Sequence, residues 1–316
     1  SLALAKGASV TVLDALTYAS GRQFIEADKK LDPNRCKLVA DSILNRETVY
    51  DLVREADAVV HFAAESHNDN SLRDPLLFMR TNVDGTAMLL EAAREFDVRF
   101  HHVSTDEVYG DLPLNTHQKF TEESPYRPSS PYSASKAAAD HLVRAWVRSF
   151  GLQATISNSS NNFGPRQHVE KLIPRTITER LLGRLPRVYG TGQNVRDWVH
   201  VDDHNEAVWQ ILQHGQVGRT YLIGVEQQRS NLEVVKCINT LMGADENDFE
   251  FVADRPGHDR RYALDAQRIR ADLGWTPTRL GFEDELANTI QWYEQNRSWW
   301  EPMKAATELC LLKQGY

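Results

Sequence analysis

Arg99-Phe100-His101-His102-Val103-Ser104 is a short strand-like run, and Thr105-Asp106-Glu107-Val108-Tyr109-Gly110 continues directly from it. Further on, Ser130-Pro131-Tyr132-Ser133-Ala134-Ser135-Lys136 opens a stretch that reads as a helix from Ser130 to Phe150. A strand ending in small hydroxyl residues and handing over to a helix is half of a βαβ unit. The same texture recurs on either side. Strand-like runs lie at Ser9 to Leu13, Lys37 to Ala40, Ala58 to Phe62 and Ala154 to Ser157. Helical stretches lie at Arg46 to Glu55 and Pro75 to Phe96. Apolar strands separated by helices predict an α/β fold, a Rossmann-like, doubly wound parallel sheet with right-handed crossovers.

The texture changes near residue 160, where loops lengthen and gain Pro, Gly and Asn. Examples are Asn161-Asn162-Phe163-Gly164-Pro165 and Tyr189-Gly190-Thr191-Gly192. Phe282, Leu286, Ile290 and Tyr293 still fall on one helical face, which predicts core packing. The expected layout is therefore a sheet domain over residues 1–160 and a smaller mixed substrate domain over 161–316. A segment near 197–225 is expected to return to the first domain.

A chain of 316 residues, 41% of them hydrophobic, is long enough to bury one large core or two joined ones. Its net charge of −8 argues against nonspecific nucleic-acid binding but leaves room for a local basic pocket for an anionic ligand. No apolar run approaches the roughly 20 residues that span a bilayer. Cys36, Cys237 and Cys310 are scattered, without metal-ligand spacing, and read as reduced thiols of a cytoplasmic protein that binds no metal.

A sheet of this kind opens with a strand, a Gly-rich turn and a helix whose N-terminus faces a dinucleotide pyrophosphate. Here Ser1 to Lys6 already reads as that helix, with Gly7 as its stop, and no such Gly-rich run follows anywhere. The expectation is that the strand and turn lie upstream of Ser1 in the natural protein. The cofactor-side residues that remain start with Asp14, at the end of the first strand. An acid there suits adenosine ribose hydroxyls and favours NAD over NADP. Asp41, after the second strand, could face the adenine or could cap the next helix. Ala63, Ala64 and Ser66 are small residues after the third strand, which lets a cofactor approach the backbone.

Tyr132 and Lys136 are four residues apart and share one helix face. A nearby ammonium and a positively charged nicotinamide both favour the phenolate and are expected to lower the tyrosine's pKa from about 10. The phenolate can then take a hydroxyl proton while hydride leaves the carbon, with Thr105 as a second hydrogen-bond partner for the same oxygen. Asp106 and Glu107 suit acid and base work on a neighbouring carbon. Adjacent carboxyls in a dry cleft are pushed apart in pKa, which predicts a neutral Asp106 beside an ionised Glu107. A chain carrying both pairs could oxidise a sugar and then eliminate water from it.

These residues, together with six further stretches, resemble the extended short-chain dehydrogenase/reductase family, and within it the branch that dehydrates nucleotide-linked hexoses. The stretches are His61 to His67 (HFAAESH), Ser104 to Gly110 (STDEVYG), Asn161 to Pro165, Glu170 to Pro174 (EKLIP), Asn194 to Trp198 (NVRDW) and Asp254 to Arg261 (DRPGHDRR). The resemblance spans essentially the whole chain.

It implies that Tyr132, supported by Lys136, is the base for oxidation at C4, that Asp106 protonates the departing C6 hydroxyl, and that Glu107 removes the C5 proton. It implies NAD as cofactor, held by Asp14, Asp41, Ser42, Ala63, Ala64, Thr81, Tyr132, Lys136 and Asn162. It implies dTDP-glucose as the nucleotide-diphosphate sugar; the residues alone accommodate dTDP or UDP. Ser66, Thr105 and Asn161 would contact the hexose. Glu170, Lys171, Leu172, Tyr189, Arg196, Asn231, Asp254 and His258 would hold the rest of the substrate. A homodimer pairing the Pro75 to Phe96 and Ser130 to Phe150 helices is also implied. Phe163, Ser159 and Arg166 depart from the family's usual Tyr, Cys and Tyr, which predicts altered rates or cofactor retention.

Two other readings stand beside this one. A nucleotide-sugar 4-epimerase shares the fold and the Tyr-Lys pair, but has no use for the two acids. A non-catalytic nucleotide-binding protein would follow if the phosphate turn were truly missing.

Overall fold

The computed structural model describes residues 1–313. In chain order the strands are β1 (Val10–Asp14), β2 (Cys36–Ala40), β3 (Ala58–His61), β4 (Arg99–Thr105), β5 (Ala154–Ser159), β6 (Asn161–Phe163), β7 (Arg187–Tyr189), β8 (Val195–His200), β9 (Thr220–Ile223), β10 (Gln228–Ser230) and β11 (Glu250–Val252). β3, β4, β5 and β9 form a parallel sheet in that order. β1 and β2 form a separate parallel pair, with Val12 opposite Leu38. β8 lies between β6 and β10, and β7 pairs with β11.

The four-stranded sheet is covered on both faces, as its apolar strands require. Phe100 and Ile156 point into a cluster with Val49, Leu90 and Val143. Val60 and Val103 point the other way, onto Val199, Ile211 and Tyr221. A third cluster holds the later part of the chain. Phe282, Leu286, Ile290 and Tyr293 are all buried there, against Phe163, Ile173 and Trp300.

The Pro131–Phe150 helix has strong signals at both ends. Ser130 closes a capping box with Ser133, Pro131 occupies the first turn, and Gly151 ends the helix at φ 72°. Such an N-cap contributes about 1 kcal/mol, and Pro in the first turn loses no helical hydrogen bond. The helix lies on β4 and β5, with Lys136 Nζ donating to Val103 O at 2.9 Å.

The helix expected from Pro75 to Phe96 is not uniform. α-Helix over Pro75–Met79 gives way to a five-residue π-turn, Arg80–Asp84, and α-helix resumes over Gly85–Glu95. The wider turn brings Asn82 inward. Its side chain accepts from Glu65 N at 2.8 Å and donates to Ser135 Oγ at 2.8 Å. Thr86 Oγ1 donates to Asn82 O at 2.6 Å, taking up a carbonyl in the altered ladder. The helices Arg22–Leu31 and Leu172–Leu181 were not anticipated individually. Among the described residues no helix is long and apolar enough to cross a membrane.

Candidate active site

The site begins where β4 ends. Thr105 caps a single 3-10 turn, Asp106–Tyr109, its Oγ1 accepting from Glu107 N at 3.2 Å. Gly110 then turns the chain at φ 84°, and a Cβ there would lie 2.3 Å from Arg127 O. Only glycine allows both the turn and the approach. The tight turn presents Asp106 and Glu107 at the carboxyl end of the sheet, where α/β folds bind their ligands.

The two carboxyls sit in different surroundings. Asp106 is 2% exposed, and its Oδ2 has no hydrogen-bond partner. Burial, then the adjacent Glu107 charge, pushes its pKa up to about 8, against the opposing pull of Arg196 and Ser160. Asp106 is therefore neutral near pH 7, as the sequence predicts. Glu107 is only half-buried, and its Oε2 accepts from Asn68 Nδ2 at 2.9 Å.

Tyr132 is buried beside this pair, edge-on to Phe78 at 6.3 Å. Its expected low pKa does not hold for the protein by itself. Burial and the Glu107 charge push the phenol up, opposed by a hydrogen bond with Thr105. Lys136 does not offset the burial. Among the described residues no hydrogen bond joins it to Tyr132; its ammonium is committed to Val103 O. Burial lowers Lys136 to about 8, while Asp140 pulls the other way.

Beneath Lys136 lies a network that sequence reasoning missed. Asp140 Oδ1 is 3.2 Å from His102 Nε2. Its Oδ2 accepts from Tyr126 Oη at 2.6 Å and from Asn158 Nδ2 at 3.0 Å. A carboxylate only accepts, so the Asp140 contact calls for a proton on His102 Nε2, while Lys136 Nζ, itself only a donor, lies farther from that nitrogen at 3.5 Å. Burial, then the Lys136 charge, lowers His102 to about 4 and keeps the ring neutral. Asp140 follows Lys136 at the same four-residue step that links Lys136 to Tyr132, so its place on that helix face was legible.

The other expected residues fall into groups. Ala63 and Ala64 follow β3 and are half-buried; Thr81 lies in the π-turn beside Asn82. Asn162 Nδ2 donates to Ser159 Oγ at 3.2 Å, while the side-chain oxygens of Asn161 and Asn162 are buried without partners. The departure at Ser159 thus anchors Asn162. Arg166 lies 4.4 Å over the Phe24 ring. Asp14 Oδ1 accepts from Leu16 N at 2.7 Å. Asp41 accepts from Ser42 N, Asn45 Nδ2 and Thr48 Oγ1, which ties it to side chains at the start of the following helix without capping it.

On the far side, Lys171 Nζ donates to Ser66 O at 3.0 Å and lies 3.8 Å from Glu170, with Leu172 beginning the next helix. Tyr189 Oη reaches Asp69 at 3.3 Å, and His258 pairs with Asp254 at 2.7 Å. Asn231 begins the Asn231–Leu241 helix, its N–H donating to Asn194 O at 2.9 Å. Arg196 is buried, stacked 4.2 Å from Tyr262 and donating to Val195 O and Asp259 O. Its charge faces Asp106 as well as any ligand.

The chain is 57% identical over 311 residues to a dTDP-glucose 4,6-dehydratase of Mycolicibacterium smegmatis, covering 98% of this chain and 93% of the relative. It belongs to the dTDP-glucose 4,6-dehydratase family. The broader family model, GDP-mannose 4,6 dehydratase, matches residues 1–289. The fold is that of a Streptomyces venezuelae dTDP-glucose 4,6-dehydratase solved with NAD bound, at TM-score 0.91 and 43% identity, covering 96% of this chain and 94% of that one. It is also close to a Thermus thermophilus UDP-glucose 4-epimerase in complex with NAD, at TM-score 0.83 and 28% identity, covering 93% and 94%. Fold alone therefore does not separate dehydratase from epimerase, and the residues of the site must.

Proposed function

We propose that this chain converts dTDP-glucose to dTDP-4-keto-6-deoxyglucose and water, with NAD as a recycled cofactor. The observation that carries this reading is Asp106: a buried, neutral carboxyl with a free oxygen, next to Glu107 and facing the Tyr132 helix. An epimerase has no use for such an acid and base.

The residues present fit NAD. Ala63 and Ala64 leave the backbone approachable, and the orphaned Asn162 side-chain oxygen is an acceptor awaiting a donor. A bound NAD would supply the hydride acceptor for C4 of the sugar and the hydride donor for C6. Tyr132 Oη takes the C4 hydroxyl proton, and the Lys136 ammonium together with a cationic nicotinamide supplies the positive field its buried phenol requires. A ketone at C4 acidifies the C5 proton, which Glu107 removes. Asp106 delivers its proton to the departing C6 hydroxyl and water leaves; C5 is reprotonated as hydride reaches C6, so no net redox change remains.

Lys171, Arg196 and the Asp254 to His258 loop line the diphosphate side, with Ser66 and Asn161 toward the hexose. We read residues 1–160 with β8 and β9 as the cofactor lobe, and the rest as mainly the substrate lobe. A cytoplasmic homodimer is the expected form.

The test is product mass after incubation with dTDP-glucose and NAD: loss of one water without net NADH is expected. An isomer of unchanged mass would replace this reading with epimerisation. Glu107→Gln should still oxidise C4, then stall before water loss with NADH absorbance held; normal turnover by that variant removes Glu107 from its role.

A further inference from the structure

We propose that Asn68 is the positioning residue for Glu107, an assignment that rests on the dehydratase reading above. Asn68 begins the short Asn68–Arg73 helix, just past the loop that follows β3. Its Nδ2 donates to Glu107 Oε2 at 2.9 Å, and its Oδ1 accepts from Ser130 Oγ at 2.8 Å. The amide orientation is fixed by the donors around it. Ser133 Oγ spends its proton on Ser130 O, and Ser130 Oγ already accepts from Ser133 N. Ser130 Oγ also lies 3.0 Å from Ser133 Oγ, but the Glu107 carboxylate can only accept, so the Asn68 NH2 group faces Glu107 and its Oδ1 is left to take the Ser130 proton.

Two consequences follow for the site. One Glu107 oxygen is tied down, so the carboxylate can present the other toward C5 in a single orientation. The tie also runs back to Ser130, the N-cap of the helix that carries Tyr132 two residues later. The groups that act at C4 and at C5 are thereby held in one frame. Asn68 touches neither reacting carbon in this assignment; it acts through Glu107. Misplacing a reacting group by a fraction of its contact distance costs on the order of 10- to 100-fold in rate.

The experiment compares native protein, Asn68→Ala and the near-isosteric Asn68→Asp, with dTDP-glucose in D2O. C4 oxidation is followed as NADH absorbance, C5 exchange as deuterium gained by the sugar, and folding by thermal melts. Native protein should wash in deuterium and lose water; failure of the native protein to do so overturns the dehydratase reading itself, and this assignment with it. In Asn68→Ala, C5 exchange and kcat should fall about 10- to 100-fold. KM should stay within about twofold and C4 oxidation should persist, so NADH absorbance builds up. Asn68→Asp keeps the shape but sets a like charge against Glu107, and should lose more. In the Glu107→Gln background, Asn68→Ala should add almost nothing. C5 exchange within about twofold of native in both folded variants, or equal loss of C4 oxidation and C5 exchange, overturns the assignment.

Discussion

Asp106 and Asp140 are both aspartates buried against the same strand, and they end at opposite extremes. Asp106 is pushed up to about 8, whereas Asp140 is held down at about 2. Burial raises both. At Asp140 it is outweighed by hydrogen bonds from His102 and Tyr126 and by the Lys136 charge. At Asp106 one oxygen has no partner and the nearest charge is the like-signed Glu107. Carboxyls of equal burial with different neighbours thus serve different ends: Asp140 Oδ2 accepts two hydrogen bonds and Oδ1 faces His102 at 3.2 Å, whereas Asp106 Oδ2 faces no donor. The first is structural and keeps Lys136 charged. The second stores a proton at neutral pH.

The largest effect should come from breaking the satisfied side. Asp140→Leu takes the acceptor from Tyr126 and leaves the buried Lys136 ammonium without its counter-charge, with only Val103 O accepting from it. Removing one partner of a buried charged network costs about 3–5 kcal/mol. Urea unfolding should show a loss of that size; a loss under about 1 kcal/mol would mean that Asp140 contributes little to the folded state.

Asp106→Asn should do the reverse. The folded pKa of Asp106 lies above its ordinary value near 3.8, so its favourable contribution is complete below about pH 4 and is lost as pH rises toward about 8. Asn does not titrate. At pH 7 the variant should be about 2–4 kcal/mol more stable than native, and the gain should fade as pH falls toward 4. Dehydration should fall by at least about 100-fold, because the proton donor is gone. Native turnover should decline above about pH 8 as Asp106 ionises, and the variant's residual rate should lack that decline. A variant less stable than native at pH 7 would break the contrast between the two sites.

Sequence legibility divides along the same line. Tyr132, Lys136, Asp106 and Glu107 were readable because their types and spacing imply chemistry. The parallel strands were readable because both faces of each are apolar. The Asp140 network was harder. His102 sits in RFHHVS, where the apolar texture gives no sign that one histidine meets a carboxylate from a helix nearly 40 residues on. Asn82 and Asn68 gave no sign either, since a π-turn and a side-chain amide bridge depend on how helices dock. The upward shift of Tyr132 in the protein alone has a related reason. Four-residue spacing places Lys136 on the same face but does not say where its ammonium points, and Val103 O takes it.

Tyr126→Phe makes the smallest change and separates hydrogen bonding from packing at Asp140. The phenol donates to Asp140 Oδ2 at 2.6 Å, while its ring meets Tyr109 edge-on at 5.1 Å. Phe keeps the ring and loses the hydroxyl, both its donation to Asp140 and its acceptance from Arg144 Nη2 at 2.6 Å. A hydrogen bond to a charged group is worth about 1.5–3 kcal/mol, so that loss is expected at pH 7. It stays below the Asp140→Leu cost because Asn158 and His102 still face the carboxylate. Asp140 has a depressed folded pKa, so its contribution is complete above about pH 4 and disappears as pH falls through about 2. The gap between Tyr126→Phe and native should therefore narrow in unfolding curves taken at the lowest pH where native protein stays folded. A gap of the same size at both pH values would assign the loss to the Arg144 bond or to packing around the ring. Asp140 would then owe its low pKa to His102 and Lys136 alone.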